Sequence, residues 1–200
     1  KEYDKAIDDL QGARRYLPAD YKLIDNLAVV FSAMGRLEEA RRMLERVVAA
    51  DPRSFPARFF HGVILCQLGR YGDSLPDLRA ALKSVPLAAD ARCALGHALQ
   101  SMGKHEESLV HFESAIRIDP AFSDAHYNKG VALRALKRNE ESISSFDAAL
   151  RINPKDAEAW NNRGNALHDL RRYEEALICY DRALGIEPRF SHGLKNRAAT

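Results

Sequence analysis

The sequence predicts an all-α protein built as an α-solenoid of antiparallel helix pairs. Three observations carry that reading. Pro18, Pro52, Pro86, Pro120, Pro154 and Pro188 stand 34 residues apart without slippage, and a fixed period of this length marks stacked supersecondary units. Small residues recur with the same period: Ala28, Gly62, Gly96, Gly130 and Gly164 at position 8 (numbering each proline 32), and Ala13, Val47, Ala81, Ala115, Ala149 and Ala183 at position 27. Bulky residues recur between them, with Leu10, Leu44, Leu78, Phe112, Phe146 and Tyr180 at position 24. Small columns let helix backbones approach, and large ones fill the space beside them.

Each element has its own local cause. Residues 1–20 carry Tyr3, Ala6, Leu10, Ala13 and Pro18 in register and read as the second helix of a preceding unit. Asp20, Ser54 and Asp156 stand where an N-cap for a first helix belongs. Gly35, Gly69 and Gly103 at position 15 end first helices in the left-handed C′ conformation. Lys137 and Arg171 occupy that position in the next two units, so those turns require a strained or different geometry. Acids then open the second helices, as in Glu38-Glu39, Glu106-Glu107, Glu140-Glu141 and Glu174-Glu175, where they complement the helix dipole. The proline at position 32 closes each second helix because it cannot continue it. Pro76 is expected in the first turn of its helix, after Asp73 or Ser74 as cap. Arg58 and Arg92 at position 4 suggest looser packing, with their stems laid over apolar surface.

These columns resemble the tetratricopeptide repeat, most closely at Trp160, Gly164, Tyr173, Ala176, Tyr180, Ala183 and Pro188. In that register a single array fills residues 1–200, with full repeats at 21–54, 55–88, 89–122, 123–156 and 157–190. A further repeat begins at 191–200, giving about twelve helices. The resemblance implies a right-handed superhelix whose concave side is lined by positions 2, 5, 6, 9, 12 and 13 of each first helix. Neither end reads as a polar capping helix, so end-to-end self-association through uncapped repeats is expected.

Composition narrows the function. Thirty Lys and Arg against 28 Asp and Glu leave a net charge of +2 with no basic stripe, so no nucleic-acid partner is implied. No membrane span is evident, and a cytoplasmic location is expected. Cys66, Cys93 and Cys179 are odd in number and far apart, reading as buried free thiols in a reducing compartment. No phosphate-binding loop, zinc-type His-Glu-x-x-His or Cys-x-x-Cys is present. The seven histidines form no i, i+4 pair. A non-catalytic chain with no cofactor and no metal is expected.

The candidate site is therefore the face that the resemblance assigns to peptide binding. Asn128, Asn162 and Asn196 form a column at position 6, with Asn26 apart from them. An amide both donates and accepts, so such a row suits an extended peptide backbone. It resembles the asparagine ladder in the repeat arm of peptide O-linked N-acetylglucosamine transferases, which makes a substrate-recruiting arm of a larger enzyme the alternative to a protein-interaction scaffold. The same asparagines could instead join layers. Asn161, Asn165, Tyr127, Arg134, Lys195, Glu158 and His97 occupy neighbouring columns, and Phe59 and Val63 form an apolar stretch suited to docking. The Lys-Asn-Asn-Lys-Arg series of carboxylate-gripping repeats is missing, since position 5 before Asn165 is Asn161.

Overall fold

The computed structural model describes residues 30–200. The expected helix over residues 1–17, the N-cap at Asp20 and the candidate Asn26 lie outside the described residues. The chain forms two compact units that divide between Met102 and Gly103.

In the first unit, residues 30–33 are helical and lead into α1 (Leu37–Ala50), α2 (Phe55–Gln67), α3 (Tyr71–Ser84) and α4 (Ala89–Ser101). The second unit holds α5 (His105–Ile118), α6 (Ser123–Ala135), α7 (Asn139–Ile152), α8 (Ala157–Asp169), α9 (Tyr173–Ile186) and α10 (Ser191–Ala199). No strand occurs among the described residues. Within each unit every helix packs on its chain neighbour, and first helices also touch one another: α2 on α4, α6 on α8, and α8 on α10. Those contacts assemble one face from successive first helices.

The small-against-large rule locks the helix pairs. A Cβ built on Gly62 would lie 2.6 Å from Leu78, one on Gly130 2.7 Å from Phe146, and one on Gly164 2.6 Å from Tyr180. A Cβ at those distances would force the facing side chain to shift, so glycine at these three positions lets position 24 seat its bulk against the backbone. Leu78, Phe146 and Tyr180 are almost completely buried as a result. The core is a series of layer clusters rather than one sphere. Phe31, Ala40, Leu44 and Ile64 form one cluster. Cys66, Leu78, Leu95, Ala98 and Leu99 form another in the same unit. In the second unit, Ile143, Ala166, Leu167, Ala176, Cys179 and Tyr180 pack together.

The turns follow one geometry whichever residue fills them. Gly35, Gly69 and Gly103 have φ of 73°, 73° and 77°, and Lys137 and Arg171 adopt 62° and 60°. The Lys137 amide donates to the Arg134 carbonyl at 2.9 Å and the Arg138 amide to Leu133 at 2.9 Å, as the Gly69 and Arg70 amides do to Cys66 and Leu65. This is the Schellman closure, so the two basic residues carry the strained option.

Ser54 and Asp156 cap their helices as expected, accepting from Ala57 at 3.4 Å and Ala159 at 2.9 Å. The expectation for Pro76 is corrected. Helix α3 begins at Tyr71, so Pro76 lies inside it, past the first turn. The carbonyl that Pro76 cannot engage belongs to Gly72, and both residues are exposed, so solvent can reach it. The caps of the second helices were also not foreseen. Arg36, Arg138 and Arg172 precede the helix and grip Glu39, Glu141 and Glu175 through two hydrogen bonds each, at 2.6–2.7 Å.

Candidate functional site

In the second unit, α6, α8 and α10 bring the position 5, 6 and 9 columns onto one face, and their polar side chains form a continuous chain. The Tyr127 hydroxyl donates to Glu158 Oε2 at 3.3 Å and accepts from Asn162 Nδ2 at 2.9 Å. Asn162 Oδ1 accepts from Asn165 Nδ2 at 3.4 Å. Asn165 Oδ1 accepts from the Tyr180 hydroxyl at 3.0 Å and from Asn196 Nδ2 at 2.9 Å. Asn196 Nδ2 also donates to Asn161 Oδ1 at 2.9 Å. Burial and the neighbouring Glu158 carboxylate push the Tyr127 phenol well above its ordinary value, and burial raises that of Tyr180. Both phenols therefore keep their protons and remain donors.

Apart from Tyr180, the residues of this network are among the candidate site residues, and they join to each other. Tyr127 reaches Asn162 and Asn161 reaches Asn196 across 35 residues. The Arg134–Asp169 ion pair, at 2.9 Å, spans the same interval, as does the Ser32–Gln67 hydrogen bond in the first unit. A residue at one position thus meets the next position of the following period. Asn128 instead turns its Nδ2 back to the Asp124 carbonyl of its own helix at 2.8 Å. Asn161 is buried, Asn162, Asn165 and Asn196 are half-buried, and Glu158 and Lys195 are exposed.

Unspent hydrogen-bonding capacity can be read from this network. Asn196 donates with both amide hydrogens and is left with its oxygen. Asn165 Oδ1 accepts twice. Asn162 keeps one N–H and one lone pair, the combination a peptide unit needs.

The first unit places Phe59 and Phe60 differently from a free apolar patch. Phe59 is half-buried against the Cys66–Leu78–Leu95 cluster and stacks on Phe55 at 5.8 Å. Phe60 packs on the Phe31–Leu44–Ile64 cluster. Val63 remains on the wall of a groove of about 280 Å³, with Ser32, Ala33 and Gln67 among its neighbours. His97 is exposed, its ring edge-on to Tyr71 at 6.0 Å.

One further column was not singled out from the sequence. Position 7 carries inter-helix ion pairs: Lys129 with Glu113 at 3.0 Å, Arg163 with Asp147 at 2.7 Å and Arg197 with Asp181 at 2.5 Å. In the first unit the same position is His61, whose Nδ1 lies 2.6 Å from Asp77 Oδ2, while Arg58 Nη1 donates to Asp77 Oδ1. Both His61 and Asp77 are buried, and the His61 Nε2 has no partner. Burial alone would raise the Asp77 carboxyl, but the bonds from His61 and Arg58 outweigh it and hold it below the ordinary carboxylate value. Cys66, Cys93 and Cys179 are buried and form no disulfide. Burial pushes the Cys179 thiol up, despite the Arg163 guanidinium 3.0 Å away.

Among the described residues no three His, Cys, Asp or Glu side chains are grouped to hold a metal, and no helix is long and apolar enough to cross a membrane.

Comparison with known proteins follows the same lines. Two family models described as tetratricopeptide repeat match, one over residues 157–190 and the other over 26–89, 65–96 and 93–157. None of the curated proteins matches. Among solved structures, YrrB, described as a TPR protein with an unusual peptide-binding site, is similar at TM-score 0.71 and 21% identity, over 94% of this chain and 97% of that one. TTC0263, a thermophilic TPR protein of Thermus thermophilus, is similar at TM-score 0.74 and 20% identity, over 90% and 97%. MamA is similar at TM-score 0.72 and 19% identity, over 86% and 93%. At these identities the likeness concerns the fold.

Proposed function

Because the chain belongs to the tetratricopeptide repeat family, we propose that it is a non-catalytic protein-interaction scaffold, holding an extended peptide segment along the face of α6, α8 and α10. One observation carries this reading. The amide row is already ordered by Tyr127, Tyr180 and its own members, yet Asn162 retains a donor and an acceptor. A side chain fixed before the ligand arrives loses little entropy on binding. A row of such groups reads the main chain, whose N–H and C=O recur whatever the side chains. The similar protein YrrB is itself described as having a peptide-binding site, which supports a peptide partner.

The test is selection from a random dodecapeptide library, followed by titration calorimetry against wild type and an Asn128→Ala, Asn162→Ala, Asn196→Ala variant whose fold is checked by circular dichroism. Weakening of about tenfold is expected, the loss of one or two hydrogen bonds. Methylating the peptide backbone nitrogens should weaken binding similarly. Equal affinity for the variant and for N-methylated peptides would make the asparagines purely a layer-joining device.

A further inference from the structure

Beside the amide row, α6, α7 and α8 line an open pocket of about 240 Å³. Val131, Ala135 and Phe146 supply its apolar surface, and Asn162, Arg134 and Asp169 its polar wall. The volume lies under the ~300–1,000 Å³ usual for small-molecule sites and suits a side chain. Its walls are fixed in advance: Asn162 by Tyr127, Arg134 by Asp169, and Phe146 by its seat against Gly130.

The electrostatics of the pocket are not neutral. Arg134 and Asp169 neutralise each other at 2.9 Å. The remaining charged lining residue is Lys137. Glu140 and Glu141 of the adjoining first turn do not line the pocket, and Glu141 is held by Arg138. Lys137 also stands at the left-handed C′ position, φ 62°, that glycine fills in the three preceding periods. A long cationic side chain is thus kept at a backbone position where glycine would be less strained, and strain of this kind concentrates at sites with a use for the side chain. Arg171 shares the backbone geometry, but Glu174 and Glu175 share its surface hollow, so no uncompensated charge arises there.

Building on the peptide-binding reading above, we propose that this pocket receives an apolar side chain of the bound segment and that the Lys137 ammonium pairs with an acidic residue next to it. The partner class is then a peptide bearing an apolar–acidic pair, with the carboxylate held at a turn rather than inside the amide row.

The probes are four capped hexapeptides: Ac-Gly-Ser-Leu-Glu-Ser-Gly-NH2 and its Glu→Gln, Glu→Lys and Leu→Ser forms. Each is titrated into the ¹⁵N-labelled 200-residue chain while amide shifts are followed. The Leu-Glu peptide should move the Val131, Ala135 and Lys137 amides and the Asn162 side-chain NH2. Glu→Gln should weaken binding about three- to fivefold, as for a solvent-exposed ion pair, and Leu→Ser should abolish the shifts. The preference for Glu over Gln should vanish in Lys137→Gln, survive in Lys137→Arg and shrink in high salt. Equal binding of the Glu, Gln and Lys peptides, a preference that outlives Lys137→Gln, or no shift at these amides at millimolar peptide would each overturn the proposal. Such a failure leaves the amide row to its own test with long peptides, whose sensitivity to backbone methylation does not involve Lys137.

Discussion

Trp160, His126, Arg92 and Arg58 share little beyond an N–H at the far end of the side chain. Each directs it to the carbonyl of the proline six residues earlier, at 2.7–3.2 Å. That carbonyl follows the end of a second helix and has no helical partner. By shape, Arg58 and Arg92 suggest a looser position 4; the donor is the property the four residues share. Asp77 makes the complementary point about charge. Its carboxyl is held low by the bonds from His61 and Arg58 against the opposing effect of burial. A depressed carboxylate contributes stability that is present above the unfolded-state value and is lost as pH falls through the folded one. Acid denaturation of wild type should therefore steepen below about pH 4. Asp77→Asn should cost about 1–3 kcal/mol at pH 7 by leaving buried donors unmatched, and that difference should shrink toward pH 2. Urea melts from pH 7 to pH 2 check this; a difference independent of pH would mean that Asp77 ionisation does not matter to the fold.

At the scale of the helix, contact between partners is decided by volume. Gly130→Leu drives a side chain into the Phe146 ring, already 2.7 Å from where a Cβ would stand, and should cost about 1–3 kcal/mol or more. Gly185, inside α9, has nothing within 4 Å of its would-be Cβ. Gly185→Ala should stabilise by about 0.5–1 kcal/mol through helix propensity alone. Opposite movements of the two melting temperatures are the expected result, and a Gly130→Leu curve superimposed on wild type would refute the pairing of α6 with α7. The helices themselves were legible: the proline, glycine and alanine columns carry their ends and their mutual approach. What was not legible is which side chains meet and where a helix without a side-chain cap begins. The grip of Arg138 on Glu141 was hidden because acids at a helix start already had a sufficient explanation. The depth of Pro76 in α3 was hidden because Tyr71 starts that helix without a side-chain cap.

For the whole molecule, stability is shared between neighbouring layers and little else. In the second unit α8 packs on α6, α7, α9 and α10, whereas α10 packs on α8 and α9. Amide exchange in the 200-residue chain should therefore be slowest in α8 and fastest in α10; equal protection of the two, measured by mass spectrometry, would imply one cooperative block. The amide column itself was visible in the sequence, since Asn128, Asn162 and Asn196 fall one period apart. The use of its members was not, because whether an amide faces a ligand or another amide depends on the offset between layers, which no single period contains.

That offset carries a consequence for how such a chain can grow. Contacts between layers recur at intervals of 35 residues in the amide and ion-pair rows and of 16 residues in the position 7 pairs. Every bond a layer makes is thus written relative to its neighbour, never to an absolute place in the chain. Duplicating residues 157–190 in tandem would set the original Asn161 beside a second Asn162 and a second Arg163 beside Asp181. The copy would be joined to the original by the same kinds of side chains that join existing layers. An insertion of a single residue within a helix at the seam would turn those side chains off the shared face and break their pairings. The chain is in this sense a text that tolerates the repetition of a whole line and no slip of a letter.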